Sequence, residues 1–251
     1  MAFSIRWLTP TAIAGIVGTL AAVPATGAVV TVPLVGPGGD SGWDATYDNA
    51  YVDFTVNQVS FARDWVLLEV SKDFTQEPYV DEESGALVFP PLLVDFTQRL
   101  ADASTVRTIR VLDESITNQT GMTWLDFHWE LLDEGQAWFD VPASGEFGIQ
   151  PPPHFQSQWW YTLPGDPGKA DALAVFDGFV DPNTSYFPGV EDSDLVIRVD
   201  LGSLEGAAFT LKEYPTHDTT KPPEPATLVL MVLGWAGLAL RRRARGRRAQ
   251  A

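Results

Sequence analysis

From Tyr51 onward the chain alternates apolar and polar side chains with a period of two, over runs too short for helices. Val52, Phe54 and Val56 share one face of a predicted strand, and Trp65 to Val70 predicts the next. Val29 to Val35 predicts a strand before them, followed by GPGGDSGWDATYDN, a run of turn-forming residues expected to be a loop. Asp81 to Ser84 is an acidic turn. Leu87 to Phe96 resumes as strand, with Pro90-Pro91 forcing a break or an edge position. Thr105 to Ile116 is rich in Val, Ile and Thr. The clearest alternation is Thr123 to Leu132. There Leu125, Phe127, Trp129 and Leu131 face one way, and Asp126, His128 and Glu130 the other, as expected of a sheet with one face on the core and one in water.

Further strands are predicted at Ala137 to Val141, Gln158 to Leu163, Leu173 to Val180, Leu195 to Leu201 and Ala208 to Glu213. Roughly ten short strands, no convincing amphipathic helix and no internal repeat predict an all-β fold, a single β-sandwich of jelly-roll or Ig-like kind over residues 29–213. Residues 214–222 then read as a Pro- and Thr-rich spacer.

The two ends follow different rules. Residues 1–28 have the make-up of a secretory signal helix: Arg6, an apolar run from Ala12 to Val23, and small residues before a cleavage point at Ala28, with Ala25 as second choice. At the other end, Pro223, Glu224 and Pro225 stiffen the chain. Ala226 to Leu240 is fifteen residues without a charge, about 22 Å as helix. That is short for a hydrocarbon core of about 30 Å. Residues 241–251 are basic, with six arginines between Arg241 and Arg248. Such a cluster is not buried, but it suits the cytoplasmic face of a membrane, and its stems extend the span. A short transmembrane helix over 226–240, stopped by Arg241, Arg242 and Arg243, is therefore expected.

The run PEPATLVLMVLGWAGLALRRR is similar to the PEP-CTERM sorting signal of bacterial surface proteins, in motif, span, basic cluster and position. The resemblance covers residues 223–251. It implies recognition by an exosortase, a membrane-embedded processing enzyme, then removal of the tail. It further implies a Gram-negative envelope and an extracellular-polysaccharide setting. The basic end departs from the pattern by continuing to Arg248. A second stretch, ITNQTGMTWLDFHWEL, resembles a segment found in the ectodomains of other PEP-CTERM proteins and implies a shared β-sandwich, with no known chemistry attached.

Composition narrows the chemistry. The absence of cysteine excludes a thiol nucleophile, a thiolate zinc site and disulfides, although export would permit disulfides. All 33 acidic residues lie between Asp40 and Glu224, where only nine basic residues accompany them, a balance of −24. Such a surface repels nucleic acid and anionic membranes.

No catalytic constellation emerges. Gly39-Asp40-Ser41-Gly42 has the form of a serine-hydrolase motif, but no histidine precedes it, and Tyr214 stands where an Asp-x-x-His ending at His217 would need its acid. Asp126, His128 and Glu130 fall at about 7 Å spacing on one strand face, near enough to share a metal, though such a triplet is ordinarily a solvated face. Asp177, Asp181, Asn183, Glu191, Asp192 and Asp194 offer hard oxygen ligands, which makes structural calcium the one candidate cofactor. Seven tryptophans lie between Trp43 and Trp160. Most are expected in the core, but the adjacent Trp159 and Trp160 must point to opposite faces of a strand, which leaves one for sugar stacking.

Together these features predict an exported, transiently membrane-anchored protein of the cell surface or extracellular matrix, with a structural or adhesive role. Its expected partners are an exosortase, the inner membrane and extracellular polysaccharide. A carbohydrate-binding module and a hydrolase of matrix polysaccharide are the alternatives.

Overall fold

The computed structural model describes residues 28–82, 85–132, 135–189, 193–201 and 206–217. The expected signal helix and transmembrane segment lie outside these, as do the sorting motif and basic tail. Among the described residues the fold is nearly all β. The strands are β1 (Val29–Gly36), β2 (Gly39–Asp48), β3 (Val52–Phe61), β4 (Val66–Phe74), β5 (Tyr79–Val80), β6 (Leu87–Val88), β7 (Leu92–Gln98), β8 (Thr108–Asn118), β9 (Asp126–Leu132), β10 (Ala137–Asp140), β11 (Ser157–Leu163), β12 (Asp166–Phe176), β13 (Thr184–Tyr186), β14 (Leu195–Val199) and β15 (Ala208–Thr216). One short helix, α1 (Val141–Ser144), follows β10 and is capped by Asp140, whose side chain accepts from the Ala143 N–H.

Hydrogen bonding joins thirteen of these strands into one sheet, along the path β1-β2-β7-β15-β9-β12-β10-β14-β8-β4-β3, with β11 beside β12 and β13 beside β8. β12 is the corner. Its residues Ala172 to Val175 pair with β9, while Lys169 and Ala170 pair with β10. The register of β11 against β12 slips at this bend, between Tyr161 and Leu163. Side chains from the two halves of the path meet inside: Phe74 of β4 is edge-on to Phe127 of β9, and Phe54 of β3 to Tyr47 of β2. The core also holds Trp43, Trp124, Trp129, Phe96 and Phe139.

The ends of the path close on each other through glycine. A Cβ on Gly36 would lie 2.5 Å from the Val59 carbonyl oxygen, and one on Gly38 would lie 2.4 Å from that of Phe61. The β1–β2 hairpin therefore leans directly on β3, and the sheet is nearly closed, with few open edges.

Several sequence expectations change. The glycine-rich run after Val35 is a strand, not a loop: β2 starts at Gly39, immediately after a Pro37-Gly38 turn. Gly42 has φ +85°, and a Cβ there would meet Thr105 Oγ1 at 2.5 Å, so turn-like composition here serves close packing. Leu125 precedes β9 and is only half-buried, whereas Trp124, bridged to Val180, takes the core position. β15 runs to Thr216, so the first three residues of the expected spacer are sheet.

Candidate functional site

The outer face of β11, β12, β9 and β15 forms an open groove of about 460 Å³, lined by His128, Glu130, Tyr161, Asp171, Ala172 and Tyr214 among others. Register builds it. Ala172 pairs with Tyr161 on one side and Glu130 on the other, and Glu130 pairs in turn with Lys212. One step along, Ala174 joins Trp159 to His128, and His128 pairs with Tyr214. Ala172 thus forms a small floor between Tyr161 on one flank and Glu130 with Tyr214 on the other, with the buried Ala174 one step along.

The polar groups are interlocked. Lys212 Nζ donates to Glu130 Oε2 at 2.8 Å and lies 4.2 Å from the centre of the Tyr214 ring. The Tyr214 hydroxyl donates to Glu130 Oε1. The His128 ring stacks on that of Tyr214, with centroids 4.9 Å apart, and its Nε2 lies 3.2 Å from Asp126 Oδ1. Thr216 Oγ1 donates to the same Asp126 oxygen. Burial alone would raise the Glu130 carboxyl, but the bonds from Lys212 and Tyr214 outweigh it and hold the group below its usual range. Burial, then the bond to Glu130, pushes the Tyr214 phenol well up. Burial, followed by the nearby charges of Asp126 and Glu130, raises that of Tyr161.

Asp126, His128 and Glu130 share a face as the alternation predicts, but the face is not in water: Asp126 is 1 % and His128 7 % exposed. Among the described residues no three His, Asp or Glu side chains gather to hold a metal ion. Of the calcium candidates, Asp181 accepts from Thr123 Oγ1, Asp194 pairs with Arg110, and Asp177 and Asn183 shape turns at positive φ. Glu191 and Asp192 lie outside the described residues. Ser41 of the GDSG run is fully buried and its oxygen accepts the Trp43 N–H, while Asp40 binds Arg99.

Trp159 and Trp160 are both half-buried. Trp160 packs on the core, edge-on to Phe139 with centroids 5.9 Å apart. Alternation then puts Trp159 and Tyr161 together on the outer face, about 7 Å apart along the strand. Tyr161, which no signal in the sequence singles out, is the more open of the two at 39 %.

Sequence reasoning also missed a second groove, of about 570 Å³, lined by Tyr47, Tyr51, Tyr79, Pro90, Pro91 and Leu93 with acidic neighbours. Its residues come from four strands and from the turns and the Pro90-Pro91 break between them, and periodicity within one strand does not show which strands meet. Leu93 pairs with Lys212, so the two grooves adjoin across β15 and β7. From β11 to β7 the combined face crosses five strands, about 19 Å.

Residues 223–243 match the family model of the PEP-CTERM protein-sorting motif. The chain therefore has a C-terminal sorting signal of an exported protein, one that serves as a substrate signal for exosortase-type processing at the membrane. No curated protein and no solved structure matches the chain. Among the described residues no helix is long and apolar enough to cross a membrane.

Proposed function

We propose that this is a cell-surface or matrix component with an adhesive role, whose folded body holds extracellular polysaccharide along the outer face of β11, β12, β9 and β15. The observation that carries the reading is the aromatic pair Trp159 and Tyr161 beside an alanine floor and an interlocked polar row. Aromatic faces stack on the apolar faces of sugar rings, and fixed polar groups set orientation. The adjoining tyrosine groove suits a polymer rather than a single sugar. The acidic body favours neutral or amine-bearing sugars over uronates. On this reading the body binds without turning over its ligand and needs no cofactor. Glu130, which a hydrolase would need for acid–base work, is committed to Lys212 and Tyr214.

The proposal includes a signal removed at Ala28, since β1 begins at the next residue. It also includes a transient inner-membrane anchor over Ala226 to Leu240, and a nearly closed sheet flattened into a two-walled sandwich. Facing contacts such as Phe74 with Phe127 support the last point.

Affinity electrophoresis of the full chain tests binding, in gels holding the producing organism's own extracellular polysaccharide, a neutral glucan or a uronate polymer. Wild type is expected to be retarded by the first two, and Trp159→Ala or Tyr161→Ala to run freely while keeping its sheet spectrum. Equal mobility of all three proteins in every gel would return the groove to packing alone.

Processing is tested separately in the native cell. Replacing Pro223 and Glu224 by alanine is expected to leave a larger, membrane-bound form. Recovery of residues 230–251 in the mature surface protein by mass spectrometry would rule out tail removal.

A further inference from the structure

Three charged residues stand on the apolar parity of three strands. Lys72 of β4, Asp113 of β8 and Glu213 of β15 are fully enclosed in the core. Lys72 Nζ touches Asp113 Oδ1. The same nitrogen lies 2.7 Å from Glu213 Oε1 and 2.5 Å from Oε2. Trp129 Nε1–H donates to the other Asp113 oxygen, Oδ2, at 3.3 Å. The Phe54 ring lies 6.0 Å from the amine. One fully buried spot thus holds an amine, the carboxyl group whose oxygen it touches and a second carboxyl group in contact with the amine. We infer that Lys72 and Asp113 condense into an intramolecular isopeptide bond, with Glu213 as the proton carrier.

The proton count favours it. Burial pushes the Glu213 carboxyl up to about 7, so it readily holds a proton. With Glu213 protonated, passing one proton from Lys72 to Asp113 makes all three groups neutral, which a dry interior favours. Burial also pulls the Lys72 ammonium down, although the two carboxylates outweigh it and keep its net shift upward. The neutral amine is thus a minor form, and fixed contact with its target offsets that scarcity.

The step balances. The Nζ lone pair attacks Asp113 Cγ and forms the C–N bond. Negative charge gathers on Oδ2, where the Trp129 N–H meets it. Glu213 takes the proton released by nitrogen and delivers its own to Oδ1. The Cγ–Oδ1 bond breaks and water leaves. Amine and carboxylic acid become amide and water, Glu213 ends as it began, and no oxidant or cofactor is consumed.

Two other features agree. β4 and β8 form the one parallel pair among the described residues, and their register slips between Val70 and Ser71, next to both reacting side chains. Bulges of this kind re-aim side chains. The chain is exported yet has no cysteine, so an amide is the covalent staple open to it.

Tryptic mapping of the purified full-length protein tests the bond, because trimming at either end changes the intact mass but not this map. The expected result is loss of cleavage after Lys72. A branched species should join residues 64–99 to residues 111–169, one water lighter than the two peptides together. Recovery of Lys72 and Asp113 in separate linear peptides overturns the inference, even if water has been lost elsewhere, as at Asp177-Gly178. Glu213→Gln keeps hydrogen-bonding capacity and is expected to give only the linear peptides. A branched species in that variant would remove Glu213 from the mechanism. Should that variant fail to fold, the wild-type map decides by itself.

Discussion

Lys72→Met is expected to destabilise the protein by about 3–5 kcal/mol, because it removes both the staple and the cation that precedes it, and leaves the Asp113 and Glu213 carboxyl groups facing each other in the core. The loss should depend on pH. Before the bond forms, Glu213 is already raised from 4.5 to about 7, first by burial and partly offset by the Lys72 ammonium. Without the ammonium it rises further. A carboxyl raised in the folded state binds its proton more tightly there than in the unfolded chain, so stability falls as pH climbs from 4.5 through the folded value. The variant should therefore come closest to wild type near pH 4.5 and be weakest in mildly alkaline solution. Urea unfolding at several pH values checks this. A variant equally stable across that range would mean that the carboxyl groups reach water or another partner.

Phe127→Ala and Trp129→Ala should each cost about 3–5 kcal/mol. Both side chains are fully buried, and they lie tilted against each other with centroids 4.7 Å apart. Trp129 also meets Phe147 edge-on and donates to Asp113, so its loss should fall toward the upper end. Asp126→Ala would cost little if its strand face were solvated. The Thr216 and His128 contacts raise that expectation to about 1–3 kcal/mol, since their polar groups lose a buried partner. Denaturant unfolding of the three variants against wild type measures all of this. A Trp129→Ala loss no larger than that of Asp126→Ala would contradict the core assignment of β9.

The three-part tail, the all-β class and most strand positions were legible in the sequence, for one reason. Each is a local pattern: a charge-free run beside arginines, or a period of two that any half-buried strand must obey. Alternation even contained the core trio, since Val66, Leu68, Val70, Lys72 and Phe74 share a parity, as do Val111 with Asp113 and Leu211 with Glu213. Each charged residue reads locally as a strand end or a bulge, and only pairing across the molecule turns three exceptions into one cluster.

Tertiary structure alone decided the rest. The glycines from Gly36 to Gly42 read as loop because glycine is a turn residue. They are used instead where β1 and β2 approach the backbone of β3 and Thr105 too closely for a Cβ. Asp126 and His128 have the polarity of a wet face, yet β11, Tyr214 and Thr216 enclose them, because strand order along the sheet is set by long-range hydrogen bonds. The groove itself joins residues 128, 161, 171 and 214, which are distant in the chain. A binding surface of this kind is a property of register between strands, and register is fixed only when the whole core closes.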